Sequence, residues 1–470
     1  MSEISLIIRT YNEEKWIGEC LRGVLDQTID DIEVILVDNQ STDKTVEKAK
    51  NVYPDLTIVE IDQYYPGLAL NKGIRASSTP YFVCLSAHCI PVDEHWLEHL
   101  WENFDEYENI AGVYGRQVPL ESSDPIDKRD LFRTFGPEKR VQTQDTFFHN
   151  ANSMIRRDVW DEYLFDEEVT NIEDQIWANE VLNEGYKIVY EPEAAVYHHH
   201  GINQGNDAER MRSVVRTMEN NAVLDSDDLA ADFDANPLEP SGLDIVSFIP
   251  IRQQAGGGVD SNEALIQETI GAVDEAEYVD DVFLTTDVEY IADNAEEWGA
   301  SDAILRPPEL SETDVGVVEV YKYTLEQLEE SGRYPDLVLT ADITHPLRPT
   351  GLIDDIIVYL VRNGYDTVVA VYPEYRPSWV ERDGELQQLN EATKRLDRNP
   401  VQIGMFSLGA VMYPHVLRRE DRLAGDFGVY EVENPLATIE IRERQDLKYW
   451  EELREVLDVL DEADGPDSDD

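Results

Sequence analysis

The chain has 470 residues, which is too long for one ordinary hydrophobic core and suggests two or three domains. Its 99 acidic residues outnumber 38 lysines and arginines, and the formal net charge of −61 disfavours binding to nucleic acid and to anionic membrane surfaces. A hydrophobic fraction of 42%, regularly patterned, argues against an acidic disordered protein.

The acidic residues are spread along the whole chain. We interpret this as adaptation to multimolar salt, where the screening length falls to about 3 Å. No apolar run approaches the roughly 20 residues of a membrane span, and no secretion signal is visible at the N-terminus. Cys20, Cys84 and Cys89 are odd in number and lack metal-type spacing, which favours a reducing cytoplasmic setting.

Strands and helices alternate along the first 200 residues. Apolar runs predict strands at residues 4–8, 32–37, 56–61 and 81–85, with a helix at 67–76 before the last of them. This order predicts an α/β domain with a mainly parallel sheet flanked by helices. Ligands bind such sheets at the carboxyl ends of the strands, which makes the polar residues that follow each strand the candidate site.

Four segments in order resemble glycosyltransferase family 2, the nucleotide-sugar-dependent transferases of the GT-A fold. They are IIRTYNEE at 7–14, VDNQSTDKT at 37–45, GLALNKG at 67–73 and NIED at 171–174. The resemblance implies that Asp38 contacts the nucleobase and that Asp174 is the general base that deprotonates the acceptor hydroxyl, with inversion at the anomeric carbon. Further donor contacts are implied at Thr10, Tyr11, Glu13, Asn71 and Ser86.

Two of these roles have structural alternatives. Asp38 is also explained as an aspartate that closes a turn. The acidic pair is also explained as the first turn of a helix, where the macrodipole favours carboxylates, and Glu173 suits that role better than Asp174.

A metal site is predicted where the family normally places Asp-x-Asp and this chain has Ser86-Ala87-His88. A related GT-A pattern is Asp-x-His, so the resemblance lets His88 inherit the metal-ligand role. His198 and His200 can lie on one side of an extended segment, because side chains alternate along a strand. These three histidines are predicted to hold Mn²⁺ or Mg²⁺ against the diphosphate leaving group, the alternative for His88 being a surface histidine.

Two stretches between these motifs are predicted to face the substrates. Residues 124–143, rich in Asp, Arg, Pro and Lys, favour a mobile acceptor loop whose Arg129, Arg133 and Arg140 contact phosphate. Asn150 and Asn152 are candidates for binding the transferred sugar, and solvated asparagines are the alternative.

The composition changes after residue 205. Residues 225–235 are acidic and small, and 236–242 are rich in turn-forming residues. We therefore predict a first domain at 1–224 that ends in a helix at 209–224 and a linker at 225–243. A second domain at 244–460 and a disordered acidic tail at 461–470 complete the chain.

The second half repeats the strand–helix alternation and predicts another mainly parallel sheet. It resembles the acylneuraminate cytidylyltransferase family, which makes CMP-activated acidic sugars, at IPIR (249–252), TTD (285–287), RPPEL (306–310), HPLR (345–348) and IEI (439–441). The resemblance implies a nucleotide site that contains Arg252, Asn262, Arg348 and Glu440.

This half also departs from its family. Two lysines that grip the nucleotide phosphates are replaced by Gly256 and Ser261, and the late pair of metal-binding aspartates becomes Glu440 and Arg442. A cation where a hard metal requires oxygen predicts an altered or inactive enzyme. Such a domain would bind sugar nucleotides or serve docking and assembly.

Together these features predict an inverting glycosyltransferase with a degenerate cytidylyltransferase-like domain. Its partners would be a nucleotide-diphosphate sugar and a saccharide or lipid-linked saccharide acceptor, in glycan or surface polysaccharide synthesis. It would be cytoplasmic, reach the inner face of the membrane through its acceptor, and form oligomers through the second domain. The alternatives are a bifunctional cytidylyltransferase–glycosyltransferase and a non-catalytic assembly protein that binds sugar nucleotides.

Overall fold

The computed structural model describes residues 3–201, 239–252, 263–312, 314–382, 384–390, 399–419, 425–442 and 444–463. The chain divides into two compact units, residues 1–242 and 243–470. The helix predicted at 209–224, most of the predicted linker and the end of the predicted tail lie outside the described residues. No helix within these ranges is long and apolar enough to cross a lipid bilayer.

The first unit contains one sheet and the helices that cover it. Its strands are β1 (Ile4–Thr10), β2 (Ile32–Asp38), β3 (Thr57–Glu60), β4 (Tyr81–Ser86), β5 (Cys89–Pro91), β6 (Ile110–Pro119), β7 (Arg140–Gln142), β8 (Asn152–Arg156) and β9 (Lys187–His198). Its helices are α1 (Ile17–Leu25), α2 (Thr45–Val52), α3 (Pro66–Arg75), α4 (Trp96–Glu106), α5 (Pro125–Thr134), α6 (Arg157–Glu162) and α7 (Glu173–Asn183).

Within the described part of this unit, nine strands lie in the order β3-β2-β1-β4-β8-β6-β9-β5, with β7 beside β9. β1 is parallel to both β2 and β4, so the candidate loops leave the same edge. β8 is antiparallel to its neighbours β4 and β6, which makes the sheet mixed, whereas the sequence predicted a mainly parallel one. An apolar run indicates a buried strand but not its direction, which depends on the path of the chain between strands.

Both faces of this sheet are buried. Leu6 and Ile8 belong to one apolar cluster with α1 and α4, whereas Ile7 lies in the opposite cluster with Phe82 and Trp177. This division follows from the alternation of side chains along a strand. It explains why β1, β2 and β4 are continuous apolar runs rather than alternating ones.

The segment predicted as a mobile acceptor loop is instead α5 followed by β7, which pairs with β9. The Asp124 side chain caps α5 by accepting a hydrogen bond from the backbone N–H of Ile126 at 2.9 Å, and a proline follows the cap. An aspartate before a proline is a helix start as well as a turn signal. The guanidinium of Arg140 stacks 4.5 Å from the ring centre of Tyr190, and Arg129 lies 3.6 Å from the Asp130 carboxylate.

The second unit is also mixed α/β. Its strands are β10 (Ile245–Ile251), β11 (Asp281–Thr286), β12 (Asp302–Leu305), β13 (Leu337–Thr340), β14 (Thr367–Glu374), β15 (Trp379–Arg382), β16 (Glu385–Gln388), β17 (Val401–Gly404), β18 (Ala410–Met412) and β19 (Phe427–Glu431). Its helices are α8 (Glu263–Asp274), α9 (Glu289–Asn294), α10 (Val317–Glu330), α11 (Leu352–Asn363), α12 (Pro414–Arg418) and α13 (Arg444–Ala463), with short 3₁₀ turns at Pro308–Ser311 and Pro435–Thr438. Another 3₁₀ turn, Pro240–Gly242, lies at the end of the first unit.

The main sheet of this unit has the order β12-β11-β10-β13-β18-β14-β17, with β19 beside β14, and β15 and β16 form a separate hairpin. β10 to β13 run parallel, but β18 lies antiparallel between β13 and β14. The mainly parallel sheet predicted here is therefore also a mixed sheet.

Candidate functional site

The candidate site of the first unit lies at the carboxyl edge of its sheet, where β1, β2 and β4 end. Asn12 and Gln40, in the loops after β1 and β2, have left-handed backbone with φ of 55° and 57°. Ile172, just before α7, also has φ of 57°. Such conformations cost about 1–3 kcal/mol each and concentrate at functional sites, which supports this edge as the site.

Hydrogen bonds join the loop after β1 to the loop after β2. The backbone N–H of Asn12 donates to Ser41 Oγ at 2.9 Å, and the N–H of Thr42 donates to Asn12 Oδ1 at 2.8 Å. The N–H of Glu13 donates to Thr45 Oγ1 at 2.7 Å. These hydrogen bonds hold the loops after β1 and β2 together as one side of the site, which we call the braced wall.

Asp38 ends β2 and is 4% exposed. Its two carboxylate oxygens accept hydrogen bonds from Ser41, one from the hydroxyl at 2.6 Å and one from the backbone N–H at 3.0 Å. Asp38 thus closes the turn, as the structural alternative expected, and its contact with a nucleobase stays a prediction. Beside it, Thr10 Oγ1 is buried with no hydrogen-bond partner among the described residues, whereas Tyr11 is 55% exposed.

Asn71 does not face the site, which corrects its predicted role as a donor contact. The side chain is fully buried, and its amide nitrogen donates to the carbonyl oxygen of Phe165 at 2.8 Å and to Glu167 Oε1 at 3.0 Å. Its oxygen accepts from Trp160 Nε1 at 3.0 Å. Both donors and the acceptor serve the packing of α3, and no exposed group remains for a ligand.

Histidines from two distant parts of the chain meet at the edge. The possible ligand atoms of His88, His198 and His200 all lie within 4.8 Å of one another. The rings of His88 and His198 stack with centroids 5.0 Å apart, and those of His198 and His200 lie 4.2 Å apart. His199 stacks on Trp16 at 5.0 Å, and its ring centre also lies 5.0 Å from that of His88 and 4.6 Å from that of His200. β9 ends at His198, and a bend at residues 199–200, rather than the alternation of an extended strand, brings the first and third histidines of the run together.

Burial disfavours protonation of the three histidines at 198–200. It lowers the pKa of His198 and of His200, and it lowers the pKa of His199 to about 3. His88 Nδ1 contacts Glu13 Oε1 at 2.8 Å, so Glu13, predicted as a donor contact, lies against the histidines. A neutral imidazole keeps a lone pair for a metal ion, which makes this cluster chemically suited to one.

The acidic pair opens α7. Asp174 is 8% exposed, and its carboxylate accepts hydrogen bonds from the backbone N–H of Asn150 at 3.2 Å and of Gln175 at 2.8 Å. Burial raises the pKa of Asp174 above the ordinary aspartate value, against the effect of these hydrogen bonds and of Arg9. Burial also raises the pKa of Glu173, and the nearby Asp174 charge adds to the rise. A carboxylate with a raised pKa is a better proton acceptor at neutral pH.

Arg9 is a functional candidate to which the sequence reasoning assigned no role. Its guanidinium lies 3.4 Å from Glu173 Oε1 and is 15% exposed. Its position at the end of β1 was the only signal available, because Glu173 lies 164 residues away in the chain. Arg9 supplies positive charge at the acidic pair.

The two asparagines proposed as sugar contacts differ in the structure. Asn152 is fully buried, its oxygen accepts from Trp96 Nε1, and its amide donates to the carbonyls of Arg116 and Ala194, so it holds strands together. Asn150 Oδ1 accepts from the Ser153 hydroxyl at 3.1 Å, and its backbone N–H binds Asp174. Asn150 therefore touches the acidic pair, and Asn152 does not face the site.

Residues 5–164 match the model of the family Glycosyl transferase family 2. The first unit carries a glycosyl transferase family 2 domain. The protein is a nucleotide-sugar-dependent glycosyltransferase. The matched segment contains Asp38, Ser86 and His88 but ends before Asp174 and the histidine run.

Curated relatives align over less than half of this chain. The O-antigen chain rhamnosyltransferase WbaN of Salmonella anatum is 26% identical over 223 residues, which cover 45% of this chain and 70% of the relative. Glycosyltransferase AglE of Haloferax volcanii is 26% identical over 204 residues, which cover 40% of this chain and 64% of the relative. Among solved structures, a mannosyltransferase from Pyrobaculum calidifontis in complex with GDP-Man and Mn²⁺ aligns with a TM-score of 0.36 at 20% identity, covering 51% of this chain and 71% of that one.

The second unit of the glycosyltransferase has its own cavity of about 460 Å³, at the carboxyl edge of β10 to β13. Arg252, Arg306 and Arg442 line it together with Asp342 and Glu312. Arg442 lies 2.6 Å from the Glu440 carboxylate, so at the predicted metal position a cation pairs with the remaining acid. The predicted contact Asn262 and the substituted positions Gly256 and Ser261 lie outside the described residues.

Arg348, predicted to bind a nucleotide, is a structural residue instead. Its guanidinium donates to the backbone carbonyls of Leu408 at 2.8 Å and Ser407 at 2.7 Å, and also to that of Asp342. These carbonyls lie at the sheet edge next to the cavity. A guanidinium committed to three carbonyls has little capacity left for phosphate.

Proposed function

We propose that the first unit transfers a sugar from a nucleotide-diphosphate donor to a hydroxyl acceptor, with inversion. One observation carries the proposal: the end of β1 and the loop that follows it serve both candidate centres. Arg9 lies 3.4 Å from Glu173 in the acidic pair, and Glu13, four residues later, lies 2.8 Å from His88. The candidate base and the candidate diphosphate site therefore lie beside the same short segment, and displacement at an anomeric carbon depends on such positioning of the reacting groups.

Asp174 acts as the general base in this proposal. It would accept the proton of the acceptor hydroxyl as the hydroxyl oxygen attacks the anomeric carbon and the nucleoside diphosphate leaves. Its burial and raised pKa support that role, and the backbone N–H groups of Asn150 and Gln175 fix its orientation. Thr10, Tyr11 and Asp38, at the braced wall, and Ser86, at the end of β4, would contact the donor.

The histidines would hold a divalent metal ion beside the donor diphosphate. Burial favours the neutral imidazoles of His198 and His200, which fit such an ion, and His198 Nδ1 is a buried nitrogen without a hydrogen-bond partner among the described residues. The ion would supply positive charge to the leaving diphosphate. Arg9 would add a fixed charge near the acidic pair.

Substitution of the base tests the proposal. Asp174→Asn keeps the size and one of the two hydrogen-bond acceptor oxygens but removes the basic carboxylate, so we expect kcat to fall by about 100-fold or more while donor binding persists. The matched control is Asp161→Asn, an exposed aspartate on α6 that should leave kcat unchanged. Unchanged turnover in Asp174→Asn would remove Asp174 from its role.

For the acceptor, we propose a saccharide or lipid-linked saccharide used in surface polysaccharide synthesis. The named relatives include an O-antigen chain rhamnosyltransferase, which supports this class without specifying the sugar. A screen of nucleotide sugars in concentrated KCl, read by release of nucleoside diphosphate, would identify the donor. Release by wild type but not by Asp174→Asn would tie the activity to this site.

For the second unit, we propose a sugar-nucleotide-binding module without nucleotidyl transfer. Its arginine-lined cavity supports anion binding, and the Glu440–Arg442 ion pair argues against a metal-dependent reaction. The full-length protein should release no pyrophosphate from CTP and an acidic sugar with Mg²⁺ in concentrated KCl. Steady release would favour the bifunctional alternative.

A further inference from the structure

Three imidazoles converge at the edge of the first sheet without an acidic ligand among them. His88, His198 and His200 are the one group of histidine, cysteine and acidic side chains that was found close enough to share an ion in the described part of the chain. Two nitrogens bound to the same ion at about 2.0–2.1 Å lie at most about 4.2 Å apart. The ligand atoms here lie within 4.8 Å of one another, so small side-chain rotations would bring them to that distance.

Hydrogen bonds determine which nitrogen two of the rings present. His88 Nδ1 lies 2.8 Å from Glu13 Oε1, and an ionised carboxylate can only accept, so Nδ1 carries the proton. His200 Nδ1 lies 2.9 Å from the carbonyl oxygen of Gly201, which also only accepts. In both rings Nε2 therefore keeps its lone pair for an ion.

His198 provides an independent indication of a ligand. It is 2% exposed, and its Nδ1 is buried without a hydrogen-bond partner within the described residues. An unsatisfied buried polar atom costs about 1–3 kcal/mol. A metal ion bound to this nitrogen would give it a partner and remove that cost.

We infer that this is an all-nitrogen site that selects a borderline transition-metal ion, of the Zn²⁺ or Co²⁺ class, over Mg²⁺. Imidazole suits such ions, whereas Mg²⁺ requires oxygen ligands and retains its water. The inference rests on the metal role proposed above and narrows it, because the sequence reasoning expected Mn²⁺ or Mg²⁺.

Glu13 is a positioning residue for this site. A carboxylate that accepts from the remote ring N–H of a ligating histidine fixes the tautomer and the ring orientation, and it raises the basicity of the ligand nitrogen. Glu13 reaches His88 across 75 residues of sequence, and its backbone N–H is held by Thr45. The braced wall thus sets the orientation of one metal ligand.

Direct metal binding to the full-length chelator-treated protein, without an affinity tag and in concentrated KCl, tests the inference. We expect Co²⁺ to bind stoichiometrically with a visible absorption band, Zn²⁺ to displace it, and a large excess of Mg²⁺ to leave the band unchanged. His198→Ala should abolish the band. The control His95→Ala removes an exposed histidine at the start of α4 and should keep it.

Glu13→Gln tests the positioning role. It should weaken Co²⁺ binding by about 10- to 100-fold and alter the absorption band, as loss of such partners does at metal sites. The control Glu47→Gln, on the surface of α2, should change neither. Unchanged Co²⁺ affinity and band in Glu13→Gln would overturn this role.

Displacement of Co²⁺ by Mg²⁺, retention of the band in His198→Ala, or no metal binding at all would overturn the selectivity. These readouts do not use sugar transfer. The inference can therefore fail while wild type still turns over in a chelator, and the transfer proposal can fail in Asp174→Asn while Co²⁺ binding persists.

Discussion

Individual charges decide the chemistry of the first unit at the residue scale. Burial raises the pKa of both Asp174 and Glu173, and the neighbouring Asp174 charge raises the pKa of Glu173 further. Arg9 opposes that rise because its positive charge favours the ionised carboxylates. The basicity of Asp174 therefore depends on Arg9, a residue far from it in the sequence.

Arg9→Met should shift the pH dependence of the enzyme. Removal of the positive charge raises the pKa of Asp174 further, so the base becomes protonated at a higher pH. The acidic limb of the pH profile of kcat/KM therefore shifts to higher pH. The position of this limb, rather than the amplitude, separates the effect from any loss of donor affinity. Arg75→Met, at an arginine paired with Glu167, is the control. A limb that stays in place or moves to lower pH would contradict this role.

At the scale of helices and strands, buried polar side chains hold together the elements that carry the site. Asn71 joins α3 by hydrogen bonds to Phe165 and Glu167, in the segment that precedes the acidic pair. Asn152 joins β8 to β6 and β9. The loops after β1 and β2 are tied by their own hydrogen bonds. The site thus stands on a rigid support that is mostly hidden from solvent.

Asn71→Ala should destabilise the protein rather than weaken donor binding. It leaves Trp160 Nε1 and the Phe165 carbonyl without their partner in a buried place, which costs about 2–4 kcal/mol. Urea unfolding in fixed KCl, followed by tryptophan fluorescence, should show a lower midpoint, with the KM for the donor unchanged in the folded enzyme. The control is Asn51→Ala on the exposed side of α2. A raised donor KM at an unchanged midpoint would restore the predicted donor contact.

For the whole molecule, the net charge of −61 is the dominant property. Repulsion among so many carboxylates opposes compaction, and salt reduces it as the screening length falls from about 8 Å at physiological ionic strength to about 3 Å at 1 M. We therefore propose that the folded enzyme depends on concentrated salt.

The thermal unfolding midpoint should rise steeply from dilute buffer to molar KCl. Sucrose, which stabilises folded proteins without screening charge, is the comparison and should raise the midpoint less. Equal effects of KCl and sucrose would contradict an electrostatic origin, and so would a midpoint independent of KCl.

The sequence by itself was sufficient for the local features. Apolar runs located β1, β2 and β4, polar residues marked the ends of these strands, and the motif at 37–45 indicated the family that the comparison then found. His198 and His200 come together as the sequence predicted, but through a bend after the end of β9 and not through the alternation of a strand. Such features depend on neighbours within a few residues, so the printed order of residues contains them.

Only the tertiary structure determined which strands and side chains lie next to each other. β8 and β18 run antiparallel to their neighbours, and α5 forms where a loop was expected. The side chains of Asn71, Asn152 and Arg348 make internal hydrogen bonds. The fold also brings Glu13 to His88 and Arg9 to Glu173. Strand direction and hydrogen-bond partners depend on residues distant in the chain, because a buried polar group bonds to whatever the fold places beside it.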